Sequence, residues 1–138
     1  MKSKKDIFEF LNQQAHAVVS TVNKQGNPQA ALVGFGQTTD LQIIFGTDMT
    51  TRKAQNLSHN THVAMVINGD DSCVQLEGIA KQTSGEELKK YFDLFFKKMP
   101  RLEKYSHLKN QIYFVVTPNW IRYIDHTTSP GTVSEMRF

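Results

Sequence analysis

The 138-residue sequence predicts a mainly β protein, an antiparallel barrel of about seven strands with about three helices. Short segments alternate apolar and polar residues, which is typical of half-buried strands. Turns rich in Gly, Asn, Asp and Pro separate these segments, so that successive strands pair antiparallel. Helical patterns occur at intervals rather than after every strand, which argues against a doubly wound parallel sheet.

The first third of the chain predicts one helix and three strands. Ser3 can cap a short helix that has apolar residues at helical spacing. His16 to Asn23 alternates as a strand, and a Gly-Asn-Pro turn leads into a second strand, Gln29 to Gly36, which is made of small residues. Residues 38–40 turn the chain into a third strand, Leu41 to Thr47.

After a second helix, the middle of the chain predicts two strands and a longer helix. The strands are His62 to Asn68 and Cys73 to Gln82. Ser84 followed by Glu87 has the form of a capping box, which opens an amphipathic helix. Pro100 ends or kinks that helix.

Two further strands, Gln111 to Thr117 and Trp120 to Asp125, are expected on either side of a Pro-Asn break. The tail from Thr127 looks irregular. No internal repeat or linker interrupts the pattern. The sequence therefore predicts a single domain over residues 1–138.

Composition narrows the functional classes. Half of the sixteen Lys and Arg residues lie between Lys81 and Lys109, and they read as a solvated helix face, with nucleic-acid binding a minority alternative. No apolar run is long enough to span a bilayer, and the N-terminus lacks a signal-peptide core. A lone cysteine, Cys73, forms no internal disulfide, so the cytoplasm is the default location.

Patterns that carry catalysis are absent from the sequence. The five histidines do not form a metal-binding pattern. Cys73 lies in a strand with no adjacent base, which predicts a buried thiol rather than a nucleophile. Gly34 and Gly36 are too few to cradle a phosphate, and they predict close approach of another group to a strand.

One segment has the features of an anion-binding site. A strand ending in Gly46 and Thr47 is followed by a helix that opens with Thr51, Arg52 and Lys53. Helix N-termini carry unpaired N–H donors and partial positive charge, which suit a phosphate. On spacing alone, an ordinary surface helix is the better interpretation.

Aromatic residues nearly encircle the predicted long helix: Tyr91, Phe92, Phe95 and Phe96. At least one side of this helix is therefore expected to pack on something beyond its own barrel. A homodimer contact is the simplest proposal.

The run from Gly26 to Gly78 resembles the flavin-binding core of the pyridoxamine 5′-phosphate oxidase-like family, small split β-barrels that bind FMN at a homodimer interface. The matching pieces are GNPQAALVGF, the strand ending FGT, TTRKAQNLSHNTHVAMVI and VQLEG. The later TPNWIRYID resembles the closing strand of the family. The order of the pieces and their nearly gap-free spacing carry the resemblance.

The resemblance implies a set of FMN-binding residues. It puts the ring and ribityl chain against the second strand, adds contacts at the end of the third, and assigns the phosphate to the start of the second helix. These positions are Ala31, Leu32, Val33, Gly34, Gly46, Thr47, Thr51, Arg52 and Lys53. Cys73 falls where the oxidases place a glutamine facing the flavin. Trp120 and Tyr123 are either a wall from the second subunit or ordinary core.

The sequence also departs from the true oxidases. Ala31, Gly36 and Gly46 stand where those enzymes carry bulkier or cationic residues. The final segment lacks the Arg-Leu-His-Asp-Arg type of ending that they use on the phosphate of their substrate. Vitamin B6 oxidation is therefore rejected as the specific activity.

The resemblance implies an FMN-dependent oxidoreductase that exchanges hydride with a nicotinamide or a small organic substrate. No catalytic acid or base is nominated. A non-enzymatic carrier of flavin, deazaflavin or haem in the same groove is the alternative. A nucleic-acid-binding barrel is the third reading, and it is disfavoured because Phe35 and Phe45 lie in strands poor in cations.

Overall fold

The computed structural model describes residues 1–138. Eight strands lie in one antiparallel sheet with the order β2-β1-β5-β6-β7-β4-β3, and β8 pairs with β7. This confirms the predicted class. In chain order the elements are α1 (Lys4–Asn12), β1 (His16–Val22), β2 (Pro28–Gly34), β3 (Gly36–Gln37), β4 (Ile43–Asp48), α2 (Arg52–Leu57), β5 (His62–Asn68), β6 (Ser72–Thr83), α3 (Gly85–Lys98), a 3₁₀ helix (Pro100–His107), β7 (Gln111–Asp125) and β8 (Thr132–Arg137).

Ser3 caps helix α1, as predicted. The Ser3 hydroxyl accepts from the Asp6 N–H at 3.2 Å, and the Asp6 carboxylate accepts from the Ser3 N–H at 2.8 Å, so two otherwise unpaired donors are satisfied. Ile7 and Leu11 on this helix are fully buried against the barrel. None of the helices in the protein is long and apolar enough to cross a membrane.

The predicted second strand, Gln29 to Gly36, is wrong at its end. Strand β2 stops at Gly34, and Gly36–Gln37 form β3, which pairs with β4 instead of β1. Because β2 and β3 stand at opposite ends of the strand order and only Phe35 separates them along the chain, the sheet must curl round to bring its ends together. The fully buried Phe35 fills the interior at this closure.

The predicted third strand also begins later than expected. Strand β4 starts at Ile43, because Leu41 has φ +69° in the turn between Thr38 and Gln42. The Leu41 side chain is fully buried, so core packing holds it in this conformation. A bulky apolar residue gives no sequence signal for a positive φ.

The two expected C-terminal strands are one strand of fifteen residues, β7. Pro118 does not break it, because the register of β6 shifts between Glu77 and Gly78, opposite the proline, and the irregularity absorbs the missing N–H. The backbones approach so closely there that a Cβ on Gly78 would clash with the carbonyl oxygen of Thr117. The strand bends at this point instead of ending.

The prediction of an irregular tail from Thr127 is also wrong over Thr132–Arg137, which form strand β8. Strand β4 pairs with β7 only as far as Val116, so the same edge of β7 is free from Trp120 onward. Strand β8 pairs along that edge, from Trp120 opposite Arg137 to Asp125 opposite Thr132. An unpaired strand edge exposes hydrogen-bonding groups, and the tail satisfies them.

The capping box expected at Ser84 does not form. Ser84 is the N-cap residue of α3, but its hydroxyl caps no backbone N–H. Gly85 follows with φ +62°, a left-handed conformation that sends the chain into the helix on a different path from that of a capping box. The 3₁₀ helix that begins at Pro100 was not expected from the sequence.

The aromatic face of α3 packs mostly on its own barrel. A second core cluster lies under this helix and contains Ile44, Phe95, Tyr113 and Val115. Phe92 contacts the Tyr113 ring edge-on, with the centroids 5.1 Å apart. The surplus of aromatics on α3 therefore supplies this cluster.

Candidate functional site

A cavity of about 220 Å³ lies between β2, β4, the start of β7 and the α3–3₁₀ segment, and it is called the aromatic cavity below. Six of its eleven lining residues are hydrophobic, and three of these carry aromatic rings, so the cavity offers both apolar and polar contacts to a ligand. The lining residues are Leu32, Val33, Gly34, Gly46, Thr47, Lys53, Phe95, Leu102, Tyr105, Gln111 and Tyr113.

A second cavity of about 380 Å³ adjoins the first, and it is called the cationic cavity. Lys53 belongs to the walls of both cavities. Neither wall contains a carboxylate or a histidine. The lining residues of the cationic cavity are Thr21, Gln29, Ala30, Ala31, Thr50, Thr51, Arg52 and Lys53.

The structure brings all nine sequence-predicted site residues to these two walls. Five of them line the aromatic cavity alone: Leu32, Val33, Gly34, Gly46 and Thr47. Ala31, Thr51 and Arg52 line the cationic cavity, and Lys53 lines both. The residues come from β2, β4 and the start of α2, which the barrel closure places side by side.

The turn between β4 and α2 is held by hydroxyl groups. The Thr51 side chain accepts from the Ala54 N–H at 3.4 Å and donates to the Asp48 carbonyl at 2.8 Å, while its oxygen lies 2.9 Å from the Thr47 hydroxyl. Thr51 therefore caps the helix and fixes the turn. Its hydroxyl already has partners, so the extra phosphate donor expected there is engaged within the protein.

Arg52 and Lys53 remain available to a ligand. Neither takes part in any of the three ion pairs of the protein. Their backbone N–H groups make no hydrogen bond within the chain, as expected for the first two positions of a helix. Burial lowers the pKa of Lys53 from its usual range, because desolvation disfavours the ammonium form. An anion in the cationic cavity would relieve that cost.

Helix α2 has only six residues, and one buried side chain anchors it. The Asn56 amide donates to the Thr21 hydroxyl at 2.9 Å and to the Gln29 side-chain oxygen at 3.0 Å. Thr21 and Gln29 themselves line the cationic cavity. Asn56 therefore ties α2 to β1 and β2, and it sets where Arg52 stands relative to the cavity.

Sequence reasoning missed one wall of the aromatic cavity. Phe95, Leu102, Tyr105, Gln111 and Tyr113 line it from α3, the 3₁₀ helix and β7. No local pattern indicated these residues, because they lie 38 or more positions beyond the β2–α2 segment and reach the cavity only through the fold.

Three residues carried over from the resemblance lie outside both cavities. Cys73 is half-buried on β6, less buried than predicted, and burial raises the pKa of its thiol. Tyr123 is buried against Phe10, with ring centroids 5.3 Å apart, so it belongs to the core. The Trp120 indole donates to the Glu135 carboxylate at 2.8 Å.

Fold and site together define a class of protein: a split antiparallel barrel with one cavity that is partly aromatic and a second, cationic cavity that shares Lys53 with it. Residues 3–125 match the family model described as Pyridoxamine 5′-phosphate oxidase, and the chain belongs to this family. The match covers most of the chain, including every residue of the two cavity walls.

Among the relatives, a pyridoxine/pyridoxamine 5′-phosphate oxidase of Shewanella amazonensis is 32% identical over 97 residues, which are 62% of this chain and 46% of that protein. The chain spans less than half the length of the curated relatives that it matches.

Two solved structures illustrate the shared fold. A heme binding protein from Mycobacterium smegmatis superposes with a TM-score of 0.85 at 14% identity, over 99% of this chain and 59% of that one. General Stress Protein 26 from Bacillus anthracis superposes with a TM-score of 0.76 at 22% identity, over 98% of both chains. At these identities the likeness establishes the fold alone.

Proposed function

We propose that this chain is an FMN-binding flavoprotein that works as an oxidoreductase on a small-molecule substrate. The observation that supports the proposal most strongly is that a cavity with aromatic walls and a cavity with two cations share Lys53 as a wall residue. FMN has the same two-part character, a flat ring system at one end and a phosphate at the other. Membership of the pyridoxamine 5′-phosphate oxidase family supports flavin over other ligands of this shape.

The residues present fit FMN. Arg52 offers a planar fork and Lys53 a mobile point charge for the phosphate, and no carboxylate lines the cationic cavity to compete with it. Leu32, Val33 and Gly34 on β2 would lie along the ring, where small and apolar residues allow close approach to backbone groups. When bound, FMN supplies hydride transfer, and the chain supplies its position.

Flavin titration tests the cofactor. The wild-type protein is expected to bind FMN at roughly micromolar concentration, and the Arg52→Ala, Lys53→Ala double variant at least about tenfold more weakly, since each charge-assisted hydrogen bond is lost. Quenching of flavin fluorescence measures both. The Lys89→Ala, Lys90→Ala variant removes two adjacent exposed cations outside the cavities and should bind as wild type does.

Riboflavin separates phosphate binding from ring binding. Because riboflavin has no phosphate, its affinity should be the same for wild type and for the Arg52, Lys53 double variant. A wild-type protein that binds neither flavin at micromolar concentration would overturn the proposed cofactor. Equal loss of both flavins in the double variant would show that Arg52 and Lys53 support the fold of the site rather than the phosphate.

A non-enzymatic carrier of flavin or haem is the second candidate. The observation that favours it is the absence of any carboxylate or histidine from both cavity walls, which leaves Lys53, Tyr105 and Tyr113 as the titratable side chains there. Oxidation of a reduced nicotinamide by the FMN-loaded protein would identify an oxidoreductase. A Soret band that saturates at one haem per chain, without flavin binding, would identify a haem carrier.

We also propose that the protein acts as a homodimer. Leu32 lines the aromatic cavity and is nevertheless 66% exposed, so one side of that cavity is open. Leu32, Val18 and Val66 are register neighbours on β2, β1 and β5, and the two valines are 40% and 42% exposed. A contiguous apolar row of this kind favours contact with a second subunit, which would cover the cavity.

A further inference from the structure

Leu102 of the 3₁₀ helix lies against the backbone of β2. A Cβ on Gly34 would come within 2.7 Å of Cδ1 of Leu102 and 3.3 Å of Cε of Met99. Gly34 has no side chain, so Leu102 reaches over the strand and takes the space that another residue's side chain would fill. Gly34 is the last residue of β2, and both it and Leu102 line the aromatic cavity.

A third cavity, of about 430 Å³, adjoins the aromatic cavity and is called the end cavity. Gly34, Leu102 and Tyr105 belong to the walls of both. Residues that line two cavities lie between them, so these three form a partition. The lining residues of the end cavity are Ala15, His16, Gly34, Lys98, Met99, Pro100, Arg101, Leu102, Lys104 and Tyr105.

The partition bounds a small cavity. The aromatic cavity measures about 220 Å³, whereas cavities that take drug-sized ligands usually measure about 300–1,000 Å³. Gly34 contributes only backbone to the partition, and Tyr105 is 41% exposed at the surface. Leu102 is half-buried, and its side chain is the one that lies against β2. Leu102 therefore decides whether the aromatic cavity ends at Gly34.

The 3₁₀ helix does not depend on the Leu102 side chain to form. None of its residues is fully buried, and the hydrogen bonds of Pro100–His107 stay within residues 99–108. The elements on either side hold it in place, since Phe95 of α3 is fully buried and β7 pairs with β4 and β6. A shorter side chain at Leu102 should therefore change the cavity more than the fold.

We propose that Leu102 is a specificity-determining residue, which ends the aromatic cavity at Gly34 and so restricts it to a flat ligand no broader than a flavin ring. A porphyrin is a broader flat system, and it would have to extend past Gly34 into the end cavity. This inference rests on the proposed function and deepens it, because it separates flavin from haem, the two kinds of ligand considered for this site.

The test compares Leu102→Ala with Leu108→Ala, which shortens an exposed leucine outside all three cavities. Hemin is the broad probe, followed by its Soret band, and FMN is the narrow probe, followed by fluorescence quenching. Wild type should bind FMN more tightly than hemin. In Leu102→Ala the dissociation constant for hemin should fall by about tenfold or more, while that for FMN stays within about threefold of wild type. Leu108→Ala should match wild type with both probes.

Competition locates the gained binding. Saturating FMN should abolish it in Leu102→Ala, because both ligands would occupy the aromatic cavity. Hemin that still binds in the presence of FMN would lie elsewhere and overturn the inference. Unchanged hemin affinity in Leu102→Ala, or an equal gain in Leu108→Ala, would overturn it too and leave the proposed function standing.

Two further outcomes are decisive. Weaker binding of both probes by Leu102→Ala would indicate that Leu102 supports the structure of the site, and it would overturn the inference. If wild type binds no FMN, the proposed cofactor fails, and the hemin affinities of Leu102→Ala and Leu108→Ala still decide whether Leu102 closes the partition.

Discussion

At the residue scale, Lys98 has the most unusual environment in the chain. Its ammonium group donates to the Gln37 side-chain oxygen at 2.6 Å and to the Leu11 carbonyl at 3.0 Å, and it lies 3.5 Å from the centre of the Phe35 ring. Gln37 in turn donates to Asn12 at 2.9 Å. The Lys98 side chain, at the end of α3, therefore connects the end of α1 with Phe35 and β3, where the sheet curls round.

This environment predicts a pH-dependent stability. Burial lowers the pKa of Lys98 to about 7, whereas the unfolded chain keeps the usual value of 10.5. Between these values the unfolded state binds the extra proton, so the free energy of unfolding should rise as pH increases from about 7 toward 10. Urea unfolding across this range measures it. Lys98→Met should lack this part of the rise.

Lys90→Met, which removes an exposed lysine from the same helix, is the control and should follow the wild-type profile. Parallel pH profiles for wild type and Lys98→Met would show that Lys98 titrates alike in the folded and unfolded states, contrary to this account.

At the element scale, α2 shows how tertiary contacts hold an element that is too short to be stable alone. Isolated helices need about twelve or more residues to persist in water, and α2 has six. Ala54 and Leu57 join the main core, and Asn56 bonds to β1 and β2. The cations at its start are therefore held in place from the other end of the helix.

Asn56→Ala should weaken FMN binding severalfold although Asn56 lines neither cavity, since α2 loses its anchor to Thr21 and Gln29. Removal of two buried hydrogen bonds should also lower the free energy of unfolding by about 1–3 kcal/mol. Gln55→Ala changes the exposed neighbour and should alter neither quantity. If Asn56→Ala lost stability while its FMN affinity stayed at the wild-type value, α2 would not depend on this anchor for its position.

At the scale of the whole molecule, the barrel closure decides where the site lies. Strand β2 stands at one end of the strand order and β3 at the other, and a single residue joins them. Closure brings β2 beside β4, so that their side chains face one space. It also leaves the row of Leu32, Val18 and Val66 on the outer face, where a partner subunit is proposed.

Val18→Lys should therefore convert a dimer into a monomer, because a charged side chain in the centre of a buried apolar contact cannot be desolvated without cost. Sedimentation equilibrium at tens of micromolar gives the mass of each. Leu108→Lys places the same charge at an exposed leucine outside the row and should leave the mass unchanged. A wild-type protein that sediments as a monomer at this concentration would remove the proposed interface.

Local patterns in the sequence were sufficient where short-range chemistry sets the structure. Ser3 with Asp6 specifies the start of α1, and His62 to Asn68 alternates so cleanly that the strand has the predicted bounds. The capping box at Ser84 failed because the left-handed Gly85 redirects the chain, which a residue pattern does not reveal. The prediction that the third strand begins at Leu41 failed because core packing holds this residue at a positive φ, and a residue pattern does not reveal that either.

The sequence by itself determined the antiparallel β class, because strand alternation and short turns are local signals. The nine residues that meet at the two cavities were implied by the family resemblance, since their spacing alone favoured an ordinary surface helix. Tertiary structure alone decided the opposite wall. Gln111 and Tyr113 reach the cavity because β7 pairs with β4, and that pairing joins segments more than sixty residues apart. Long-range pairing depends on the whole sheet closing around one core, and no window of the sequence contains that information.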